Sequence, residues 1–323
     1  MKKFLIFLLI VPVILGSLFY WFFQNSKAVS ADKAFKDFLI PKGTSASQVG
    51  NKLSQAGLVK SPLAFKIYIQ ITGKSGSIQA GEYRLSPSQN LFQVVEQFGK
   101  GPTEIWVTVP EGLRREEVAL RFATQLDKDQ EFIDEFLDLT IGKEGMLFPD
   151  TYLFPKAVTA NAIVLKMENT YESKVATLTN NTSLSEKDLL VLASLIERET
   201  KTSAERPVVA GILMNRLGIG MALQIDATVQ YAVASSKYKN PTPETKWWEP
   251  ILRSDLQVNS PYNTYKFATL PPGPIASPGL TSLEAAYNPE DSEYLYYLHD
   301  SKGGIHYGRN LDEHNQNVRD YLD

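Results

Sequence analysis

"FLIPKGTSASQVGNKLSQAGL" (residues 38–58) and "VTVPEGLRREEVALRFATQL" (residues 107–126) present the same order of residue types twice. Each stretch begins with a short apolar run, turns at a proline, a charged residue and a glycine, and continues with apolar residues at helical spacing. The two prolines, Pro41 and Pro110, lie 69 residues apart, and two copies are too few for a solenoid. The pattern predicts a duplicated strand–turn–helix element. The alternative is an ordinary strand, turn and helix that occurs twice by chance.

The rest of the chain continues to mix strand and helix patterns, so an α+β fold is expected. "EGMLFPDTYLFP" (residues 144–155) is bounded by proline and is expected to be a packed loop or a strand pair. Residues 221–323 are expected to be rich in loops and to contain a hairpin at residues 294–307 that turns at Gly303-Gly304. The first repeated element is expected to contain a helix at 48–56. Further helices are predicted at 62–72, 90–101, 160–178, 183–200 and 205–217, and a further strand at 80–87.

The composition is that of an ordinary globular protein, and its length suits one large domain or two smaller ones. The 323 residues are 43% hydrophobic and 21% charged, and the net charge is −3. The folded part has no basic block, which argues against nucleic acid as a partner. The chain has no cysteine, which excludes disulfides, thiolate metal sites and a cysteine nucleophile.

The N-terminus carries "FLIFLLIVPVILGSLFYWFF" (residues 4–23), 20 residues without a charge. This length suffices to cross a bilayer as a helix, and the aromatic residues at its end suit the membrane interface. Lys2 and Lys3 would remain in the cytoplasm, so that the rest of the chain lies outside. The alternative is a signal peptide cleaved near "AVSA" (residues 28–31), but the apolar run exceeds the usual length of such a peptide. We therefore expect a cytoplasmic stub (1–3), a transmembrane helix (4–23) and a linker (24–35).

"LASLIERETK" (residues 192–201) ends an apolar helix pattern with two glutamates. Glu197 and Glu199 cannot face the same way, because residues two apart on a helix point in different directions. At 100° per residue, Glu199 falls in the middle of the apolar arc and Glu197 falls on the other side. A carboxyl group in an apolar wall has a raised pKa and can donate a proton near neutral pH. The alternative is that the helix has reached the protein surface by residue 199.

Two polar segments further along carry the residue types that line sugar-binding sites. The alternative is turn chemistry, since asparagine, threonine, proline and glycine all favour turns. The three histidines show no metal-ligand spacing, and the sequence predicts no cofactor and no metal. The candidate substrate contacts are Gln224, Asp226, Thr228 and Tyr231 in the first segment and Asn263, Thr264 and Tyr265 in the second.

Four motifs together resemble the YceG-like (MltG) family of endolytic murein transglycosylases, in matching order from about residue 36 to residue 321. They are "EGMLFPDTYLF" (144–154), "LASLIERET" (192–200), "NRLGIGMALQIDATVQY" (215–231) and "YNTYKFATLPPGPIASPG" (262–279). The resemblance implies a single-pass protein of the bacterial cell membrane whose catalytic domain faces the wall. It also implies internal cleavage of peptidoglycan glycan strands between N-acetylmuramic acid and N-acetylglucosamine, leaving 1,6-anhydro ends, which is a lyase reaction.

The same resemblance assigns residues and domains. The family's catalytic glutamate precedes threonine in its motif, which implies Glu199 here, with Glu197 and Thr200 as supporting residues. Residues 36–104 would form a small LysM-like β/α domain, and residues 105–323 a mixed α/β catalytic domain. The family also suggests the wall-synthesis machinery as a partner. A membrane-anchored scaffold that binds peptidoglycan without cleaving it and a muramidase-type hydrolase are the alternative functions.

Overall fold

In a computed structural model, the structure describes residues 2–238 and 241–322, and of the side chains before residue 11 nothing is described. The strands are β1 (Lys36–Ile40), β2 (Gly81–Leu85), β3 (Glu104–Thr108), β4 (Thr151–Pro155), β5 (Tyr296–His299) and β6 (Ile305–Gly308). The helices are α1 (Lys2–Asn25), α2 (Ala46–Gln55), α3 (Pro62–Thr72), α4 (Leu91–Lys100), α5 (Arg115–Leu126), α6 (Gln130–Leu139), α7 (Ala160–Val175), α8 (Glu186–Glu199), α9 (Arg206–Gly218), α10 (Asp226–Lys237), α11 (Leu280–Tyr287) and α12 (Leu311–Tyr321).

The α+β fold is confirmed, and the chain divides into two compact units. The first unit is the chain up to Val107 together with Tyr152–Ala157. The second unit is Thr108–Thr151 together with the chain from Val158 onward. The first unit thus contains the segment predicted as a small domain and also a strand, β4, that follows much later in the sequence. Its assignment as a LysM-like domain stays a prediction.

The first unit is built on a four-stranded sheet in the order β1-β2-β3-β4. The β1 and β2 strands pair antiparallel, with Ile40 opposite Gly81, and β2 also pairs antiparallel with β3. A side chain at Gly81 would collide with the backbone of Glu104, since a Cβ would lie 2.1 Å from its carbonyl oxygen, so only glycine allows this pairing. "EGMLFPDTYLFP" was expected to be a packed loop or a strand pair, and it is a loop followed by one strand at residues 151–155.

Both copies of the strand–turn–helix element are present, as β1 followed by α2 and as β3 followed by α5. The first copy shows why its helix begins where it does. Ser45 accepts a hydrogen bond from the Gln48 backbone, and the Gln48 side chain accepts one from the Ser45 backbone. This capping box satisfies two amides at the start of α2 that have no partner within the helix.

The segment 24–35, predicted as a linker, lies within the first unit and is hydrogen-bonded to other parts of it. Helix α1 extends to Asn25, and the buried Ser26 accepts a hydrogen bond from the Leu91 amide at 2.9 Å. The amide of Val29 donates to the Pro87 carbonyl at 3.1 Å, and the Ser86 hydroxyl donates to the Asp32 carbonyl at 3.0 Å. Polar composition suggested a linker here, but these backbone groups are bonded to the loop between β2 and α4 and to the first residue of α4.

Among the described residues, no helix is both long and apolar enough to cross a membrane. The predicted span at 4–23 falls partly on residues whose side chains lie outside the described part of the chain. The transmembrane segment therefore stays a prediction.

The second unit surrounds α8, which packs against α9, α10 and α11. Leu189, Leu192, Leu195 and Ile196 of α8 are all fully buried. The expectation that residues 221–323 are rich in loops is confirmed, but the three helices α10, α11 and α12 in this segment were not predicted. Helix α11 is only eight residues long, and α12 is polar and buries no side chain, so neither carries the apolar stripe that marks a core helix in a sequence.

Candidate active site

The two acids of α8 have different surroundings, although they lie two residues apart. Glu197 Oε1 accepts a hydrogen bond from Arg206 Nη2 at 3.0 Å. Its Oε2 accepts from the Gly279 amide at 2.9 Å and from the Ser282 hydroxyl at 2.7 Å. The Glu197 side chain is 7% exposed, so this carboxylate is buried and its charge is paired. It joins α8 to the beginnings of α9 and α11, which is a structural role.

The Glu199 carboxyl group lies at the end of α8 and is only half-satisfied. Its Oε2 accepts a hydrogen bond from the Tyr297 hydroxyl at 2.7 Å. Its Oε1 has no hydrogen-bond partner within residues 2–238 and 241–322. Burial is the largest effect on the pKa of Glu199 and raises it. The hydrogen bond from Tyr297 and the charge of His299 lower this pKa, whereas the charge of Asp226 raises it. The net pKa is raised, as the position of Glu199 on the apolar arc predicted.

Strand β5 places Tyr297 against this acid and His299 near it, and the sequence analysis singled out neither of them. Tyr297 and His299 are two residues apart and therefore share one face of the strand. His299 Nε2 lies 3.0 Å from Glu205 Oε2. Glu205 also accepts hydrogen bonds from the Thr202 hydroxyl at 2.8 Å and the Lys201 amide at 3.0 Å, in the turn directly after α8. Burial would raise the pKa of Glu205, but the bonds from His299, Lys201 and Thr202 hold it below the usual value.

The hairpin itself was predicted correctly, and its period of two indicates that residues 297 and 299 face the same way. Which of its two faces meets α8 depends on the packing of elements about 98 residues apart along the chain, from Glu199 to Tyr297. No local pattern carries that information.

Asp226 and Tyr265 are the predicted substrate contacts that the structure brings close to Glu199. The Tyr265 hydroxyl donates a hydrogen bond to Asp226 Oδ1 at 2.5 Å. Burial raises the pKa of Tyr265, and the charges of Asp226 and Glu199 add to this, so its hydroxyl stays protonated. Asp226 begins α10 and is exposed, as is Gln224 just before it. Gln224 has a left-handed backbone, with φ at 55°, which the Thr264 carbonyl stabilises by accepting from its amide.

Thr228, Asn263 and Thr264 have a different position from the one expected of substrate contacts. Their side chains are at most 1% exposed. The hydroxyls of Thr228 and Thr264 lie 2.9 Å apart, and the Asn263 amide donates to the carbonyls of Leu256 and Val258. Because these groups are buried and already paired, the structure gives them the role of holding the loop 256–265 against α10. This corrects the expectation that they face a substrate.

Thr200 and Tyr231 also have structural partners. The Thr200 hydroxyl donates to the Ile196 carbonyl at 2.8 Å and ends α8. The guanidinium carbon of the buried Arg114 lies 4.1 Å from the centre of the Tyr231 ring. The Tyr231 hydroxyl donates to Glu144 Oε2 at 3.3 Å. Tyr231 thus belongs to a second cluster of residues, separate from the bonds around Glu199.

This second cluster, formed by Glu144, Arg114, Tyr231 and Tyr262, holds another carboxyl group with a perturbed pKa. Burial, followed by the charge of Glu116, raises the pKa of Glu144 to about 8. The Tyr231 and Tyr262 rings lie 4.8 Å apart between centroids. Glu144 is the first residue of the motif "EGMLFPDTYLF", but the sequence analysis assigned no role to it.

The turn of the second repeated element also contacts α8. The amide of Gly112 donates to the Ser277 carbonyl at 2.8 Å, and the Ser277 amide donates to the Leu113 carbonyl at 2.8 Å. Arg198, which stands between the two acids, packs its guanidinium 3.8 Å from the centre of the Trp248 ring and contacts Gly112. Gly112 has φ at 77° and lies against this arginine, so a side chain there would be strained. The turn therefore helps to fix the end of α8.

Within the described residues, no group of three or more histidine, aspartate or glutamate side chains is arranged to hold a metal ion. The site consists of Glu199, an acid with a raised pKa, and three neighbouring groups. These are a tyrosine that donates to Glu199, an imidazole that contacts a second acid, and an aspartate that accepts from a second tyrosine. Such a set can donate a proton and take one back.

Comparison with known proteins matches residues 38–320 to the YceG-like family. A relative from Bacillus subtilis (strain 168), named endolytic murein transglycosylase, is 33% identical over 341 aligned residues that cover 96% of this chain and 91% of the relative. A relative of the same name from Streptococcus pneumoniae (serotype 2, strain D39 / NCTC 7466) is 26% identical, and the chain spans 64% of its length.

The fold is also similar to a solved structure. The crystal structure of a YceG-like protein from Listeria monocytogenes aligns with a TM-score of 0.53 at 30% identity, covering 88% of this chain and 99% of that one. The family match covers most of the chain, and the Bacillus subtilis relative is aligned along nearly its full length. This chain belongs to the YceG-like family.

Proposed function

We propose that this protein cuts peptidoglycan glycan strands internally and that Glu199 alone transfers the protons of the reaction. The relatives named endolytic murein transglycosylase identify the chain as a lytic transglycosylase, which is a lyase. The observation that carries the assignment of Glu199 is its position: it is the acid of α8 that has a raised pKa and an oxygen without a partner among the described residues. Glu197 is excluded from proton transfer because both of its oxygens are bonded in the protein interior.

One carboxyl group suffices for this reaction because the nucleophile belongs to the substrate. Protonated Glu199 donates its proton to the oxygen that joins C1 of N-acetylmuramic acid to C4 of N-acetylglucosamine, and the C1–oxygen bond breaks. The resulting carboxylate takes the proton from the 6-hydroxyl of the same muramic acid. Oxygen 6 bonds to C1, so the products are a free 4-hydroxyl and a 1,6-anhydro end. Intramolecular attack has the advantage of proximity over attack by water.

Asp226 is the reason to keep hydrolysis as the second candidate function. Hydrolytic glycosidases use two carboxylates, and Asp226 lies close enough to influence the pKa of Glu199. The hydrogen bond that Asp226 accepts from Tyr265 instead supports a role for Asp226 in binding the substrate. We therefore propose Gln224, Asp226 and Tyr265 as substrate contacts. We propose that the loop carrying Tyr265 is positioned by Thr228, Asn263 and Thr264.

We further propose that residues 4–23 anchor the protein in the bacterial cell membrane, with the second unit outside the cytoplasm. The first unit, which includes residues 36–104, is proposed to be the LysM-like module that contacts glycan. The wall-synthesis machinery is a partner that suits an enzyme acting on newly made strands.

The experiment that tests the function is digestion of purified glycan strands by the full chain in detergent. The wild type is expected to release fragments with 1,6-anhydro ends, as measured by mass spectrometry. Glu199→Gln is expected to lower the rate by about 10²- to 10⁴-fold, the usual contribution of a general acid–base group. Glu197→Gln serves as the matched control and is expected to retain most of its activity per folded molecule.

Three outcomes would contradict the proposal. Activity in Glu199→Gln together with an inactive, folded Glu197→Gln would reverse the assignment of the acid. Products with only reducing ends would indicate a muramidase. A wild-type protein that binds strands and never cleaves them would indicate a scaffold.

A further inference from the structure

The hairpin of β5 and β6 brings the Tyr297 hydroxyl to one particular oxygen of Glu199. We propose that Tyr297 is a positioning residue, which fixes the orientation of the Glu199 carboxyl group and directs its proton to the free oxygen, Oε1. We further propose that the contact between His299 and Glu205 holds Tyr297 in place. This inference rests on the proposed function, because it assigns a role in the reaction of Glu199.

The direction of the hydrogen bond decides where the proton of Glu199 resides. A tyrosine hydroxyl has one proton, and the Tyr297 hydroxyl keeps it because burial, followed by the charge of Glu199, raises the pKa of Tyr297 well above its usual value. When this hydroxyl donates to Oε2, the acidic proton of Glu199 is carried by Oε1. That oxygen has no hydrogen-bond partner among the described residues and is therefore available to a substrate. After the proton has left, the same bond stabilises the carboxylate.

The hairpin is tied to its surroundings on both sides of Tyr297, which keeps this geometry in place. On one side, the Asn215 amide of α9 donates to the carbonyls of Ser292 and Tyr294, at 2.7 Å and 3.1 Å. On the other side, His299 contacts Glu205, which is itself held by the turn that follows α8. The acid and the strand that carries its partner are thus anchored to the same turn.

The charged and titratable groups that face Glu199 come from several elements. They are Tyr297 and His299 of β5, Asp226 of α10, Arg216 of α9, Tyr265 of the loop before α11, and Arg198 next to it on α8. Of these, Tyr297 alone is bonded directly to the carboxyl group among the residues that the structure describes. Loss of its bond removes a stabilisation of the carboxylate, so the pKa of Glu199 rises further in its absence. Activity requires protonated Glu199, and the alkaline limb of the pH profile of kcat/KM therefore moves to higher pH.

The test compares Tyr297→Phe with Tyr296→Phe in the full chain, on the same glycan strands. Tyr296 faces the other side of β5, where its ring stacks on His314 at 5.1 Å, and its variant is the matched control. In Tyr297→Phe we expect kcat to fall by about 10- to 100-fold, the effect of one hydrogen bond to a charged group, with KM nearly unchanged. We also expect its alkaline limb to shift upward, while Tyr296→Phe keeps the wild-type kcat and profile.

A second variant gives a shift in the opposite direction. 3-Fluorotyrosine at position 297 keeps the hydroxyl and makes it a stronger donor, so the pKa of Glu199 and the alkaline limb should both move to lower pH. A tyrosine that merely fills space would shift the profile in neither variant. This second measurement also keeps the proposal testable if Tyr297→Phe folds poorly.

The results separate this inference from the proposed function. If Glu199→Gln is inactive and Tyr297→Phe has the wild-type kcat and pH profile, the positioning role is wrong and the function stands. If Glu199→Gln is fully active, the assignment of the acid fails and the role of Tyr297 fails with it.

Discussion

At the residue scale, Glu144 has the most unusual carboxyl environment outside the bonds around Glu199. Its pKa is raised to about 8, first by burial and then by the charge of Glu116, while Arg114 opposes the shift. The folded protein therefore keeps Glu144 protonated over a pH range in which the unfolded chain would release that proton. Stability should fall as pH rises from about 4.5 to about 8, because ionisation in the folded state is penalised.

We predict that Glu144→Gln removes much of this pH dependence. The wild type should lose free energy of unfolding between pH 5 and pH 8, by on the order of 3 kcal/mol from this group, and the variant should lose less. Chemical denaturation followed by tryptophan fluorescence at both pH values measures this. Glu131→Gln, at an exposed position of α6, is the control that should follow the wild type. Parallel curves for the wild type and Glu144→Gln would show that Glu144 is ionised in the folded protein.

At the element scale, the hairpin of β5 and β6 depends on α9 for its position. Asn215 donates two hydrogen bonds to the segment that leads into β5, and Arg216 Nε donates to the Leu295 carbonyl at 2.6 Å. The alternating strand pattern gives the hairpin its shape, but these contacts orient it toward the end of α8. The same division holds for α8, whose serine cap and apolar spacing are local features, whereas its place in the core depends on α9, α10 and α11.

We predict that Asn215→Ala loosens the hairpin without disturbing α8. Two hydrogen bonds are lost, so peptides covering residues 294–308 should exchange their amide hydrogens faster, while peptides from α8 should not change. Hydrogen exchange measured by mass spectrometry checks this, together with a kcat reduced in the direction expected for Tyr297→Phe. Asn317→Ala removes a bond to the Tyr307 carbonyl from α12 and serves as a comparison. Unchanged exchange in the hairpin would show that the two bonds from Asn215 do not position it.

At the scale of the whole molecule, the exposed apolar residues of α1 bear on where the protein resides. Val13, Leu15, Leu18 and Phe19 are 57–73% exposed, whereas Phe22 further along packs against the core of the first unit. The described part of the helix thus changes from exposed apolar side chains to residues that pack on the core of the first unit. This arrangement supports the proposed anchor at residues 4–23.

We predict that the full chain sediments with membranes and stays there after a carbonate wash. The double variant Leu15→Asp, Leu18→Asp should lose this association, since each charge near the centre of a span costs about 3 kcal/mol. Fractionation and immunoblotting measure it, and Leu63→Asp, an exposed position of α3, is the control. A mature N-terminus near Ala31, found by sequencing, would identify a cleaved signal peptide instead.

The sequence by itself determined the features that depend on neighbours along the chain. Turn residues and apolar spacing were sufficient for the two strand–turn–helix elements, for α8 and for the hairpin. The position of Glu199 on the apolar arc of its helix also followed from spacing alone, and four motifs in order indicated the family. Helices α10 and α11 were missed because packing against α8, and not a strong local pattern, stabilises them. Helix α12 was missed because its sequence is polar and buries no side chain.

The tertiary structure decided which groups meet across long separations in sequence. It paired Glu197 with Arg206 and Ser282, and it brought Tyr297 to Glu199. It also buried Thr228, Asn263 and Thr264, whose residue types suit a binding loop and an internal hydrogen-bond network equally well. Residue type and spacing show what a side chain can do, whereas its partners are set by how distant elements pack. Only that packing distinguished the bonded acid of α8 from the one left with a free oxygen.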